Sequence, residues 1–217
     1  MNHKIVGLTC ALALGAALLQ PNHATAQAGK QSAQARLAGA IKEIRIETTL
    51  TRDQLQQTVD ALDVLVKQKT GDLRPTYNTY VAEVKKTHSA ADWTASRGSS
   101  MQKASADYFG AWQAEVGGIA NESLRKKAQK RLDAVRKSYD KVVASLQDAA
   151  KEFRPFLSNL DDVEKTLAND ITPGGVKAIR GTASDANFNV KKVRRYIADA
   201  IEELGKMEKS LSSESNG

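Results

Sequence analysis

The chain of 217 residues is 41% hydrophobic, 26% charged and 5% aromatic, with a formal net charge of +7. This length suits one domain of ordinary size or two small ones, and few aromatics with much Ala, Lys, Glu, Gln and Ser favour helix over strand. The single cysteine, Cys10, and two of the three histidines, His3 and His23, fall in the first 23 residues, which leaves only His88 beyond them. Disulfides, thiol catalysis and clustered histidine metal sites are thereby excluded, and neither a cofactor nor a metal is expected.

Residues 1–26 read as a cleaved secretory signal. Lys4 supplies a positive start, Ile5 to Leu19 form a mostly apolar run, and Ala24-Thr25-Ala26 make a small-x-small site before Gln27. The apolar run is shorter than the roughly 20 residues of a membrane span, so no transmembrane segment is expected after cleavage. Ala11 to Leu19 continue the run past Cys10, which argues against lipid attachment there. Removal of the segment takes one lysine and no acid, leaving 31 basic and 25 acidic residues, net +6. The expected setting is periplasmic or secreted, and without cysteines the fold must be held by packing alone.

The remainder is expected to be all-α: one domain over 27–210, an elongated antiparallel bundle of four long helices with coiled-coil-like packing. Gly71-Asp72 with Pro75, Gly117-Gly118 before Asn121, and Ile171-Thr172-Pro173-Gly174-Gly175 mark three breaks. They delimit helices at about 31–70, 75–116, 121–169 and 173–210, with a frayed start at 27–34 and a disordered tail at 211–217. Asn121 and Thr172 are suited to cap the third and fourth helices, the latter with Pro173 at the first helical position. Connections this short make neighbouring helices antiparallel.

In the first helix, Leu55, Val59, Leu62 and Val66 form an apolar stripe that Thr48 and Thr51 interrupt upstream. The second helix carries Tyr77, Tyr80 and Val84 at one end and Met101, Tyr108, Trp112 and Val116 at the other. Its middle, from Thr87 to Ser100, is small and polar apart from Trp93; it either admits large residues of the third helix or forms a loose, wetter middle. The third helix alternates apolar steps of four and three from Ala128 to Leu167, and the fourth does so from Val176 to Leu211. Folded back at Thr172, residues whose numbers sum to about 342 should face each other, which sets Phe156 against Ala186 and Val142 against Ala200. Pro155 leaves the pattern in phase, so a bent helix is expected rather than a terminated one.

No spacing singles out a catalytic group, and no enzyme is expected: His88 has Asp92 one turn on but no nucleophile at triad spacing. Asp161, Asp162, Glu164 and Asp170 lie on helical surface without a cation-wrapping loop. Thr172 to Lys177 are better explained as a helix start than as a phosphate loop. Basic side chains are the more suggestive feature. Arg125, Lys126, Lys127, Lys130 and Arg131 form one group, continued by Arg136, Lys137 and Lys141; Lys191, Lys192, Arg194 and Arg195 form another. By the register above, the second group sits near residues 147–151, so two separate patches could meet an anionic surface. Nucleic acid is not expected as a partner, because no aromatic platform interleaves the basic residues. Phe188 and Trp93 lie off the seams, each either packing on a neighbouring helix or marking a partner contact, with Phe188 the stronger choice.

Asn121-Glu122-Ser123-Leu124-Arg125-Lys126-Lys127, the run through Tyr139, and Phe153-Arg154-Pro155-Phe156-Leu157 resemble a bacterial family of secreted, all-helical proteins known as a domain of unknown function. The resemblance covers roughly residues 35–208. It implies a Gram-negative, periplasmic setting and long helices, and it brings no activity or site residues. The expected function is a non-enzymatic scaffold or protein-binding module at the cell envelope. The alternative is binding of an anionic lipid, lipopolysaccharide or envelope polymer through the basic patches. The seams would be satisfied within one chain or by an open hairpin pairing with a second copy, so the oligomeric state is left open.

Overall fold

In a computed structural model, residues 23–214 are described, with side chains from 29 to 212. The expected signal segment lies outside the described residues except for its last four, which form the first turn of a helix. Four long helices and one short one follow: α1 (His23–Lys67), α2 (Arg74–Gly117), α3 (Glu122–Asn169), α4 (Pro173–Ala178) and α5 (Arg180–Glu214). No strand occurs among the described residues. At 1.5 Å per residue, α1, α2 and α3 are each about 66–72 Å long.

The expected caps are in place. Asn121 Oδ1 accepts from the Leu124 amide at 3.1 Å, and Thr172 Oγ1 accepts from the Gly175 amide at 3.2 Å. The expected fourth helix is interrupted at a single residue, Ile179, whose backbone stays near-helical (φ −84°, ψ −4°). The Ile179 amide still donates to Gly175 O at 3.2 Å, and the Ala183 amide to Ile179 O at 2.9 Å, so α4 and α5 run on as one arm. α3 continues through Pro155, as its phase requires.

Both outer boundaries differ from expectation. The stretch expected to fray at 27–34 is helical, and Gln34 Nε2 donates to Leu211 O at 2.7 Å. Leu211, placed in the expected tail, is buried, and α5 runs on to Glu214. Each terminus supports the other, a contact that neither local sequence reveals.

The helices stand in the order α1, α2, α3, α5 around the bundle, each packed on its two neighbours, and among the described residues the backbones of the diagonal pairs α1/α3 and α2/α5 do not come close. All neighbours are antiparallel. Thr51 Oγ1 and Thr94 Oγ1 lie 2.9 Å apart, and Lys30 pairs with Glu115, which fixes α1 against α2. Tyr80 Oη donates to Leu160 O at 2.7 Å between α2 and α3. Asn187 Nδ2 donates to Asp63 Oδ1 at 2.8 Å between α5 and α1. Between α3 and α5, Lys192 meets Glu152 at 2.8 Å, close to the expected facing register.

The seam residues are inside. Val176, Ile179, Ala183, Ala186, Val190, Val193 and the rest of that row through Leu211 are all buried. On α3, Leu132, Val135, Tyr139, Val142, Ala149, Phe156, Leu160, Val163 and Leu167 are buried, and Ala128, Leu146 and Phe153 are half-buried. These residues form two cores rather than one. The first joins Leu55–Leu65, Leu73–Val84, Ala149–Leu167 and Val176–Ile197, near the α1–α2 turn. The second joins Ala33–Ile44, Met101–Val116, Leu132–Val142 and Leu204–Leu211, at the end where the chain enters and leaves. Thr48 and Thr51 of α1 and Thr87 of α2 are buried polar residues of the stretch between them, and Thr58 is buried at the edge of the first core.

Candidate functional site

The middle of the bundle is where local sequence and packing disagree. Along α2, Ala91, Ala95 and Gly98 occupy the row that faces α3, and none reaches across. At one end of this stretch α2 and α3 are joined by Tyr77 Oη to Glu164 O (3.2 Å), Tyr80 to Leu160 O, and His88 Nε2 to Asp161 Oδ1 (2.7 Å). At the other end the Phe109 and Tyr139 rings meet edge-on with centroids 5.6 Å apart, and Ser105 bonds Tyr139. Between residues 88 and 105, about 25 Å of helix, no hydrogen bond joins α2 to α3 among the described residues.

A hollow of about 420 Å³ fills this gap and opens to the surface. The apolar part of its α3 wall includes Val143, Leu146, Phe153 and Leu157, with Gln147 of α3 and Gln102 of α2 as uncharged polar lining; its inner end reaches Ile44 of α1 and Ile197 of α5. It therefore penetrates to the bundle axis, between the two cores. Thr48 and Thr51 line it with their polar demand met internally: Thr48 Oγ1 donates to Ile44 O at 2.7 Å, and Thr51 Oγ1 engages Ala90 O and Thr94. The charged lining residues are Asp92 on the α2 wall and Arg154 on the α3 wall. Of the two sequence readings for this middle, filling from α3 or a loose centre, the structure has the second.

The basic residues divide by surroundings. Arg125, Lys126, Lys127, Lys130 and Arg131 lie in the first turns of α3, where residues 120–127 are exposed all round, including Leu124. Lys126 pairs with Glu122 of its own helix at 2.7 Å; the other four form no ion pair among the described residues. The second group is tied into the bundle. Lys192 is held by Glu152, Arg194 by Gln56 of α1, and Arg195 lies over the Tyr196 ring at 5.3 Å, with only Lys191 unengaged among the described contacts. The two groups are not brought together.

Phe188 is 72% exposed, and Trp93 is 58% exposed, so neither packs into the bundle. Two exposed apolar residues that sequence reasoning missed stand at the level of Trp93. Ile46 and Leu50 of α1 are 48% and 55% exposed, and the Thr51–Thr94 and Glu43–Arg97 contacts set them level with Trp93 on the α1–α2 flank. Their signal was available: both fall off the Leu55–Leu62 stripe. His88 is engaged with Asp161, and Asp162 lies 3.9 Å from Lys165. No group of three metal-ligating side chains occurs among the described residues, and none of their helices is long and apolar enough to cross a membrane.

The family model described as "Protein of unknown function (DUF2959)" matches residues 25–211, and the chain belongs to that family. No curated protein and no solved structure matches the chain.

Proposed function

We propose that this family member is a non-enzymatic helical scaffold of the cell envelope, exported by its N-terminal segment, that holds a partner protein against the flank of its α1–α2 hairpin. The observation that supports this is the group formed by Ile46, Leu50 and Trp93, three large apolar side chains left outside both cores at one level of the bundle. Clustered exposure of this kind marks interaction surfaces, whereas single exposed apolar residues do not. The partner called for has an apolar centre and a polar margin able to meet the Glu43–Arg97 pair at the patch edge. A photo-crosslinking residue at position 50, in cells that make the protein natively, is expected to trap one discrete protein adduct that Trp93→Asp removes. No adduct, or one indifferent to Trp93→Asp, would overturn the reading.

A second reading rests on the start of α3, where Arg125, Lys127, Lys130 and Arg131 are exposed and form no ion pair among the described residues. Charge of this sort attracts an anionic lipid, lipopolysaccharide or envelope polymer at low ionic strength and is screened at high. The triple change Lys127→Glu, Lys130→Glu, Arg131→Glu is expected to abolish salt-sensitive pelleting with anionic vesicles, while Lys191→Glu leaves it. Pelleting that survives the triple change would remove this reading.

A further inference from the structure

We propose that the mid-bundle hollow between α2 and α3 is a binding site for a single-chain amphiphile of the lysophosphatidylethanolamine type, with its apolar tail inside and its phosphate and ammonium on Arg154 and Asp92. Depth and size point to a chain. The hollow runs from the surface to the buried side chain of Ile197 at the bundle axis, and its volume of about 420 Å³ is that of a small-ligand pocket. A partner helix about 10 Å across and as long as the gap would need far more room. The walls suit a tail: Leu146, Phe153 and Leu157 face Ala91, Ala95 and Gly98, and the inner threonine hydroxyls are bonded elsewhere.

The mouth suits a head of both signs. Arg154 and Asp92 are exposed on opposing walls, and among the described residues neither forms an ion pair or a side-chain hydrogen bond. His88–Asp161 closes one end of the gap and Tyr139–Phe109 the other, so tail and head have defined places. Ligands of helical bundles commonly sit between facing helices in this way. The site is separate from the Ile46–Leu50–Trp93 flank and stands without it.

The test is calorimetric titration of lysophosphatidylethanolamine, below its micelle concentration, into the chain purified after expression of the full sequence. One molecule per chain is expected. Arg154→Gln should weaken binding about tenfold by removing a charge-assisted contact, and a monoacylglycerol of equal tail length, lacking both charges, should be weakened at least as much. Ala95→Phe, which fills the hollow, should abolish binding while Trp93→Asp leaves it unchanged. No saturable binding, several molecules per chain, or affinity indifferent to Arg154→Gln would overturn the proposal. Should Ala95→Phe fail to fold, the exposed Arg154 variant still decides.

Discussion

Thr58 and Thr87 bring their hydroxyl oxygens within 2.6 Å of each other between α1 and α2, both fully buried. With one proton each, one hydroxyl donates to the other, and the accepting hydroxyl donates to the carbonyl within reach on its own helix, Gln54 O for Thr58 or Glu83 O for Thr87. A buried pair is costly to halve and cheap to remove whole, because a lone partner loses a bond it cannot recover from water. Thr87→Val is therefore expected to destabilise by about 1 kcal/mol, and adding Thr58→Val to raise the loss by less than the Thr58→Val single change does; a denaturant double-mutant cycle measures this. Glu83 sits beside the pair. The bond from Lys86 at 2.7 Å, then the one from Gln54 at 2.8 Å, hold its carboxyl below the ordinary value of 4.5. The folded chain thus binds that proton less readily than the unfolded chain. Its contribution is present above about pH 4.5 and is lost as the pH falls through the depressed value. Melting temperature should accordingly fall less steeply between about pH 5 and pH 3 in Glu83→Gln than in the parent. At this scale the sequence was legible where a residue acts on its own backbone, as Asn121 and Thr172 do. It was opaque where a threonine meets another helix: Thr48 and Thr51 registered as interruptions of a stripe, with nothing to show that Thr51 would bond Thr94 forty-three positions on.

Elements were legible through period and punctuation. The fourfold and threefold steps of α3 and α5 needed no tertiary information, and the summed register located Lys192 near Glu152 because short turns tie antiparallel helices together. The turn before α4 adds a constraint that spacing alone does not convey. A Cβ on Gly175 would overlap the Asp170 carbonyl oxygen and lie 3.1 Å from Asp170 Cγ. Gly175→Ala should therefore destabilise by about 1–3 kcal/mol, as overpacking does. Gly181→Ala, in open space on α5, should stabilise by about 0.5–1 kcal/mol, and paired thermal melts of the two variants check both signs. What local pattern left unread was element length: Gln34 and Leu211 hold each other in helix, and both lie where composition alone suggests fraying. The small residues of α2 from Ala91 to Gly98 were visible in sequence, but a gap and a filled groove share that pattern, and only the geometry of α3 distinguishes them.

Across the whole molecule, two cores share four helices without merging. One end is joined between α2 and α3 by the Tyr77 and Tyr80 hydroxyl bonds and the other by the Phe109–Tyr139 ring contact, while the centre relies on threonine hydroxyls between α1 and α2 and leaves α2 and α3 apart. Backbone hydrogen bonds in a helix open most readily where tertiary contacts are sparse. The midsection is thus where the proposed amphiphile would insert, and the proposed partner surfaces, the flank and the α3 start, lie outside it. Hydrogen exchange along the free chain tests this arrangement most directly. Amides of α2 between 88 and 105 and of α3 between 143 and 157 should exchange well ahead of those near Tyr80, Leu160, Tyr108 and Leu132, giving two protected zones divided by a fast belt. Uniform protection along α2 and α3 would contradict it, for the bundle would then have one continuous core and no hollow at its middle.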